Sequence, residues 1–219
     1  MATRNDLAMR ASRWLLTLAG VVVLVIAAFV VKDISGPTTA SGSSPAQVQL
    51  AELPIATWHP MAGYSRDRFK HWVTQGNGCD TREVVIARDG KDVRKDASCR
   101  ATSGHWTSPY DNKVINKASD LDIDHMVPLA DAWRTGADKW TDERRSQFGN
   151  DLTAPQLLAV SASSNRGKGD QDPASWKPAN QAFWCTYATN WVIVKHSYQL
   201  FVTAAEHDAL ANMLATCPS

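Results

Sequence analysis

The sequence carries no excess of charge of either sign: 23 Lys and Arg stand against 22 Asp and Glu. Setting aside Arg4, Arg10, Arg13, Lys32 and Asp6 of an N-terminal leader leaves 19 against 21, a net charge of −2 for the remainder. Such a domain has no broad positive face, which counts against tight non-specific adhesion to nucleic acid. The chain has no C-x-x-C pair, which excludes a zinc knuckle, and no H-E-x-x-H or related ligand pattern, which excludes the usual zinc hydrolases. His59, His71, His105, His196 and His207 are scattered without ligand spacing and read as surface or core histidines. No internal repeat and no heptad occurs, so neither a solenoid nor a coiled coil is expected.

One long apolar run is present. Trp14 to Val31 reads WLLTLAGVVVLVIAAFVV, 18 uncharged residues, which as a helix would extend about 27 Å at ~1.5 Å per residue and nearly cross a bilayer core. Arg4, Arg10 and Arg13 precede it, so the positive-inside bias keeps the N-terminus in the cytoplasm and exports everything after Lys32. The run is longer than an ordinary cleavable signal, favouring an uncleaved anchor over a signal peptide cut near Thr38, Thr39 and Ala40. Residues 33–49, rich in Gly, Pro and Ser, read as a flexible tether, and residues 50–219 as one folded domain.

Four isolated cysteines, Cys79, Cys99, Cys185 and Cys217, suit an oxidising compartment. Three pairings are possible; Cys79 with Cys99 and Cys185 with Cys217 is favoured because it closes two short loops on either side of the central motif. Tyr64 to Val73 shows a helical apolar stripe, Arg82 to Arg88 a buried strand, Cys99 and Trp106 two short strands, and Leu121 to Leu129 (LDIDHMVPL) a strand ending at Pro128. Ala130 to Gly136 and Lys139 to Phe148 read as short helices, Leu157 to Val160 as a second strand, and SASSNRGKGD as a helix entry. A helix around Asn180 to Thr189, a strand or helix extension at Trp191 to Lys195, and a final helix from Thr203, with the Thr203 and Glu206 capping box, complete the chain. Most of the nine tryptophans fall in patterned segments and read as core.

Phosphodiester hydrolysis requires a deprotonated water on one side and stabilised charge on the other, and an Asp-His pair at a strand end can offer a metal ligand and a base. Asp124 and His125 form such a pair. By itself it is a weak signal, equally a satisfied polar strand end. Asn165, 40 residues after His125 in a polar turn with Lys168, adds a neutral oxygen ligand and a cation for phosphate.

DIDHMVPLADAW followed by LLAVSASSNRGKGDQDPASW resembles the HNH nucleases of the GmrSD-type C-terminal domain family, in particular its small secreted actinobacterial members. SNRGKGD also looks like the matching segment of the HNH domain in the RNA-guided CRISPR nuclease. GCDTREVVIARDG, SPYDNK and CTYATNWVIVKHSYQL extend the likeness over roughly Leu50 to Cys217. The resemblance implies an α+β fold with a ββα-metal core in one disulfide-bonded domain, and a metal-dependent endonuclease. Asp124 and Asn165 would hold the metal, His125 would be the general base, and Lys168 would contact phosphate. The oxygen ligands favour Mg²⁺ or Mn²⁺. Asp122, with Asp120, is expected to support the strand face or the histidine. Asp80, Arg82 and Asp111 match family positions, or form a structural ion-pair cluster beside the first disulfide. The family usually has Asn, taken to orient the loop or the base histidine, where this chain has Gln156; Gln156 is counted here with the catalytic residues, and, being one methylene longer, Gln156→Asn is expected to raise turnover. The substrate implied is DNA, with RNA second; the rival function is an idle binding or envelope domain that keeps the fold without turnover.

Overall fold

The computed structural model describes residues 42–218. The apolar run at 14–31 and the start of the expected tether lie outside these residues; among the described residues no helix is long and apolar enough to cross a membrane.

The first helix, α1 (Pro45–Glu52), begins inside the segment expected to be a tether, because Ser44 and Gln47 make a reciprocal capping box and Pro45 suits the first turn. Ala46 and Leu50 of α1 are buried in the main core. The helical stripe expected at Tyr64 to Val73 contracts to one 3-10 turn, Arg66–Phe69, that drives Phe69 into the core. Two short strands, β1 (Thr74–Gly76) and β2 (Cys79–Asp80), pair antiparallel and lead into α2 (Thr81–Asp89).

Helix α2 corrects the strand expected at Arg82 to Arg88. A short apolar run does not distinguish strand from helix, and the deciding local signal was the cap: Asp80 accepts from the Glu83 amide at 2.9 Å, three residues on. Val85 and Ile86 then face a second core cluster with Trp106, Leu121, Ile123 and Leu157. A three-stranded antiparallel sheet follows, β3 (Lys91–Lys95), β4 (Ala101–Thr107) and β5 (Val114–Ile115). Trp106 lies in β4 as expected, whereas Cys99 sits in the turn before it.

The centre of the domain is an antiparallel pair, β6 (Leu121–His125) and β7 (Leu157–Ser161), with Asp124 opposite Leu158 and His125 opposite Leu157. Between them run α3 (Leu129–Arg134) and α4 (Asp142–Gly149). Directly after β7 the chain enters α5 (Ala162–Lys168), capped by the Ser161 hydroxyl on the Ser164 amide. The segment WVIVK belongs to a single helix, α6 (Trp184–Ser197), and α7 (Ala204–Leu214) carries the expected Thr203 and Glu206 capping box. Disulfides join Cys79 to Cys99 and Cys185 to Cys217, and no described cysteine is free. The second disulfide ties the start of α6 to the chain just after α7, whose faces, with α1, close the larger core. The result is a mixed α/β, disulfide-bonded fold.

Candidate active site

At the end of β6 the alternation of side chains sends His125 and Asp124 to opposite faces of the strand pair. Both border a cleft of about 300 Å³ together with Tyr64, Arg66, Asn165 and Arg166.

His125 is 4% exposed and its Nε2 lies 3.0 Å from the carbonyl of Gly149, the last residue of α4. Carbonyls in the last turn of a helix have no partner within the helix, and a carbonyl only accepts. Nε2 therefore carries the proton and Nδ1 keeps its lone pair. Trp72 stacks on the imidazole, with ring centres 5.3 Å apart and planes 6° from parallel, and His71 meets it edge-on at 5.6 Å. Burial holds the His125 imidazole down to a pKa of about 3, so the ring is neutral at physiological pH. Gly149 can be nothing larger: a Cβ there would stand 2.8 Å from the Phe69 carbonyl oxygen, displacing the group that fixes the histidine. Asn150 secures the approach of Trp72 by accepting from the Val73 amide (3.0 Å) and the Thr81 hydroxyl (2.8 Å) while donating to the Lys70 carbonyl (2.8 Å).

Asp124, also 4% exposed, is held from inside. Lys168 Nζ stands 2.9 and 2.8 Å from its two oxygens and donates as well to the His125 carbonyl at 2.9 Å; the Tyr110 hydroxyl donates to Oδ2 at 2.6 Å. Burial pushes the Asp124 carboxyl up and the Lys168 ammonium down, and their contact with each other opposes both shifts. Lys168 is fully buried, 5.6 Å from the Trp191 ring centre, which corrects its expected role: it cannot reach a phosphate in the cleft and acts as the internal counter-ion of Asp124.

Asn165, on α5, borders the same cleft, and its Nδ2 donates to Asp122 Oδ2 at 3.2 Å, leaving its oxygen without a protein donor among the described residues. Asp122 also faces Arg166 at 3.5 Å, so it orients α5 against β6. For a divalent cation the donor set is small but consistent. Two carboxylate oxygens offer about four lone pairs, of which Lys168 and Tyr110 use three, so Asp124 Oδ1 retains one, and Asn165 borders the same cleft. A hard cation that keeps most of its water, as Mg²⁺ does, fits two protein oxygens; zinc with its preferred nitrogen and sulfur does not.

Gln156 lies away from the reacting groups. Fully buried, it accepts from the Val127 amide at 3.1 Å and donates to the Val127 carbonyl at 3.0 Å, and its own carbonyl accepts from the Met126 amide at 2.7 Å. It clamps the turn that follows His125 and is a positioning residue, not a catalytic one. Asp80 caps α2, and Arg82 pairs with Glu83 at 2.6 Å and donates to the Ala118 carbonyl at 3.3 Å. Asp111 accepts from Ser161 and Ser164 at 2.7 and 2.9 Å, pinning the β5 approach to the start of α5. Of these three, Arg82 borders a cleft beside the site.

Sequence reasoning missed Trp72, Tyr110, Gly149 and Arg66. Only Gly149 had a local signal, the Gly-Asn step after an amphipathic helix, which marks a helix end but not what its carbonyl will bind.

Residues 85–213 match the family described as GmrSD restriction endonucleases, C-terminal domain. The chain belongs to that family. It is also 51% identical over 181 residues, 83% of this chain and 89% of the other, to a protein of Arthroderma benhamiae named "Uncharacterized secreted protein". No solved structure matches. The GmrSD_C match contains Asp124, His125, Gln156, Asn165, Lys168, Tyr110 and Gly149; Trp72 and Arg66 precede it.

Proposed function

We propose that this GmrSD_C protein is an exported endonuclease that hydrolyses phosphodiester bonds, DNA before RNA, with β6, β7 and α5 serving as a ββα-metal core. The observation that carries this is the fixed tautomer of His125: its Nε2–H is committed to Gly149, so Nδ1 is the bare nitrogen on a cleft shared with Asp124 and Asn165. Nδ1 takes the proton of the attacking water, and the Trp72 ring keeps the imidazole in plane for that transfer. Its depressed basicity keeps the ring unprotonated and makes it a weak base, so the water must be made more acidic than in bulk. Mg²⁺ or Mn²⁺, held by Asp124 and Asn165, would supply that acidification and stabilise the charge on the leaving oxygen. Lys168 and Tyr110 hold the Asp124 carboxylate in one orientation. Gln156 and Asn150 fix the turn after His125 and the approach of Trp72.

Export is supported by the apolar run at 14–31 with its basic flank, by two disulfides, and by the relative's name. One observation favours the rival, an idle binding domain: Lys168 already neutralises Asp124, which weakens any cation there. Gln156 no longer argues for it, since its amide is fully engaged. Nicking of supercoiled plasmid by the full chain separates the two. We expect cleavage that requires Mg²⁺ or Mn²⁺, stops with EDTA and is absent in His125→Ala; no cleavage of DNA or RNA above that variant would leave the binding domain.

A further inference from the structure

With Lys168 buried against Asp124, the cleft has lost the cation expected to meet the substrate's phosphate. A second cleft, of about 370 Å³, is bordered by Arg66, Trp72, Arg82, Ser119, Asp122 and Asn165. It shares Arg66, Ile123 and Asn165 with the first, so the two lie next to each other along β6.

Three arginines border this combined groove, and they are not equivalent. Arg82 is committed to Glu83 and the Ala118 carbonyl, and Arg166 faces Asp122. Arg66 is exposed, borders both clefts, and has no carboxylate or hydrogen-bond partner among the described residues. Its backbone is nevertheless fixed, because the 3-10 turn it opens is capped by Ser65 and anchored by the buried Phe69.

We propose that the two clefts form one track for a polynucleotide strand, and that Arg66, at their junction, binds the phosphate that His125 and Asp124 act on. The inference rests on the nuclease function and adds to it a substrate-binding residue from a segment that precedes the residues matching the family. A guanidinium suits the position: its planar fork meets two phosphate oxygens at once, where an ammonium offers a point charge. In a domain whose net charge is −2 outside the leader, local arginines rather than a general field must hold the phosphate. Arg82 and Trp72, which border the second cleft, stand where the neighbouring nucleotide would pass.

The test uses the full chain and synthetic single-stranded and duplex oligonucleotides. Arg66→Ala should lower kcat/KM on the order of a hundredfold, and in the His125→Ala background it should reduce the slope of log binding constant against log salt by about one. Arg66→Lys should keep the slope and lose part of the rate. Arg94→Ala, on exposed β3, should change neither. A parent that cuts while Arg66→Ala cuts equally well refutes the assignment and leaves the nuclease function standing. Lost rate with an unchanged salt slope refutes the phosphate contact. A parent that does not cut above His125→Ala removes the nuclease function and the track with it.

Discussion

Replacing Gln156 by Asn tests how the turn after His125 is held. From the sequence alone, Asn looks like an improvement, because the family usually carries it there. The structure reverses the expectation. Gln156 is fully buried, and its amide spans both polar groups of Val127, itself buried, at 3.0 and 3.1 Å. Shortening the side chain by one methylene withdraws the amide by more than 1 Å, beyond hydrogen-bond range unless the turn moves. Each lost bond costs about 1 kcal/mol net, more where a buried amide is left unpaired, and the missing methylene adds about 1 kcal/mol. The sum is about 2 to 4 kcal/mol, or roughly 5 to 15 °C in Tm for a domain of this size. Because the turn begins at Met126, next to His125, the loss should also lower kcat. Thermal melts and single-turnover cleavage of parent, Gln156→Asn and Gln156→Met are the assays; Met fills the space but makes neither bond, so it should destabilise as well. If Gln156→Asn melts at or above the parent temperature and cuts faster, the clamp is not what holds the site.

Asp124→Ala should cost about 3 to 5 kcal/mol because it strands the buried Lys168 ammonium, whereas Asp124→Asn should keep the fold better and lose metal affinity, checked by calorimetric Mn²⁺ titration. The pKa of about 3 for His125 lies below the unfolded value near 6.5, so the folded state binds fewer protons between them; this contribution is complete above about pH 6.5 and falls by about 1.4 kcal/mol per unit as pH drops, a slope that His125→Ala should remove from urea midpoints. Glu206, buried against Lys195 and Asp131, is raised to about 7; its contribution has the opposite sign, complete below about pH 4.5 and lost as pH rises to 7, and Glu206→Gln should flatten that side. The two disulfides should leave no free thiol under denaturing, non-reducing conditions, and loops of 20 and 32 residues predict losses of about 3 and 4 kcal/mol when each is opened by Cys→Ser pairs.

The sequence by itself determined the features that are local or that repeat with a short period. Alternation in LDID and the stop at Pro128 defined β6; the run LLAV defined β7; Thr203 with Glu206 defined the start of α7. Asp124, His125 and Asn165, which border one cleft, were singled out by residue types and spacing together with the likeness to the GmrSD_C family. Where local signals competed, the sequence was ambiguous: REVVIAR fits either a strand or a helix until the Asp80 cap decides. The roles of charged and polar side chains were decided only by the tertiary structure, because a role depends on burial and partners that lie far away in the chain. Lys168 reads as a phosphate ligand in SNRGKGD and becomes a buried counter-ion once α5 packs on β6. Gln156 reads as a loop-orienting residue one methylene too long, and becomes a clamp 29 residues from the turn it holds, fitted at its full length. The tautomer of His125 depends on Gly149, and the freedom of Arg66 on its forming no ion pair among the described residues although carboxylates border the same clefts; neither is written in the residues beside them.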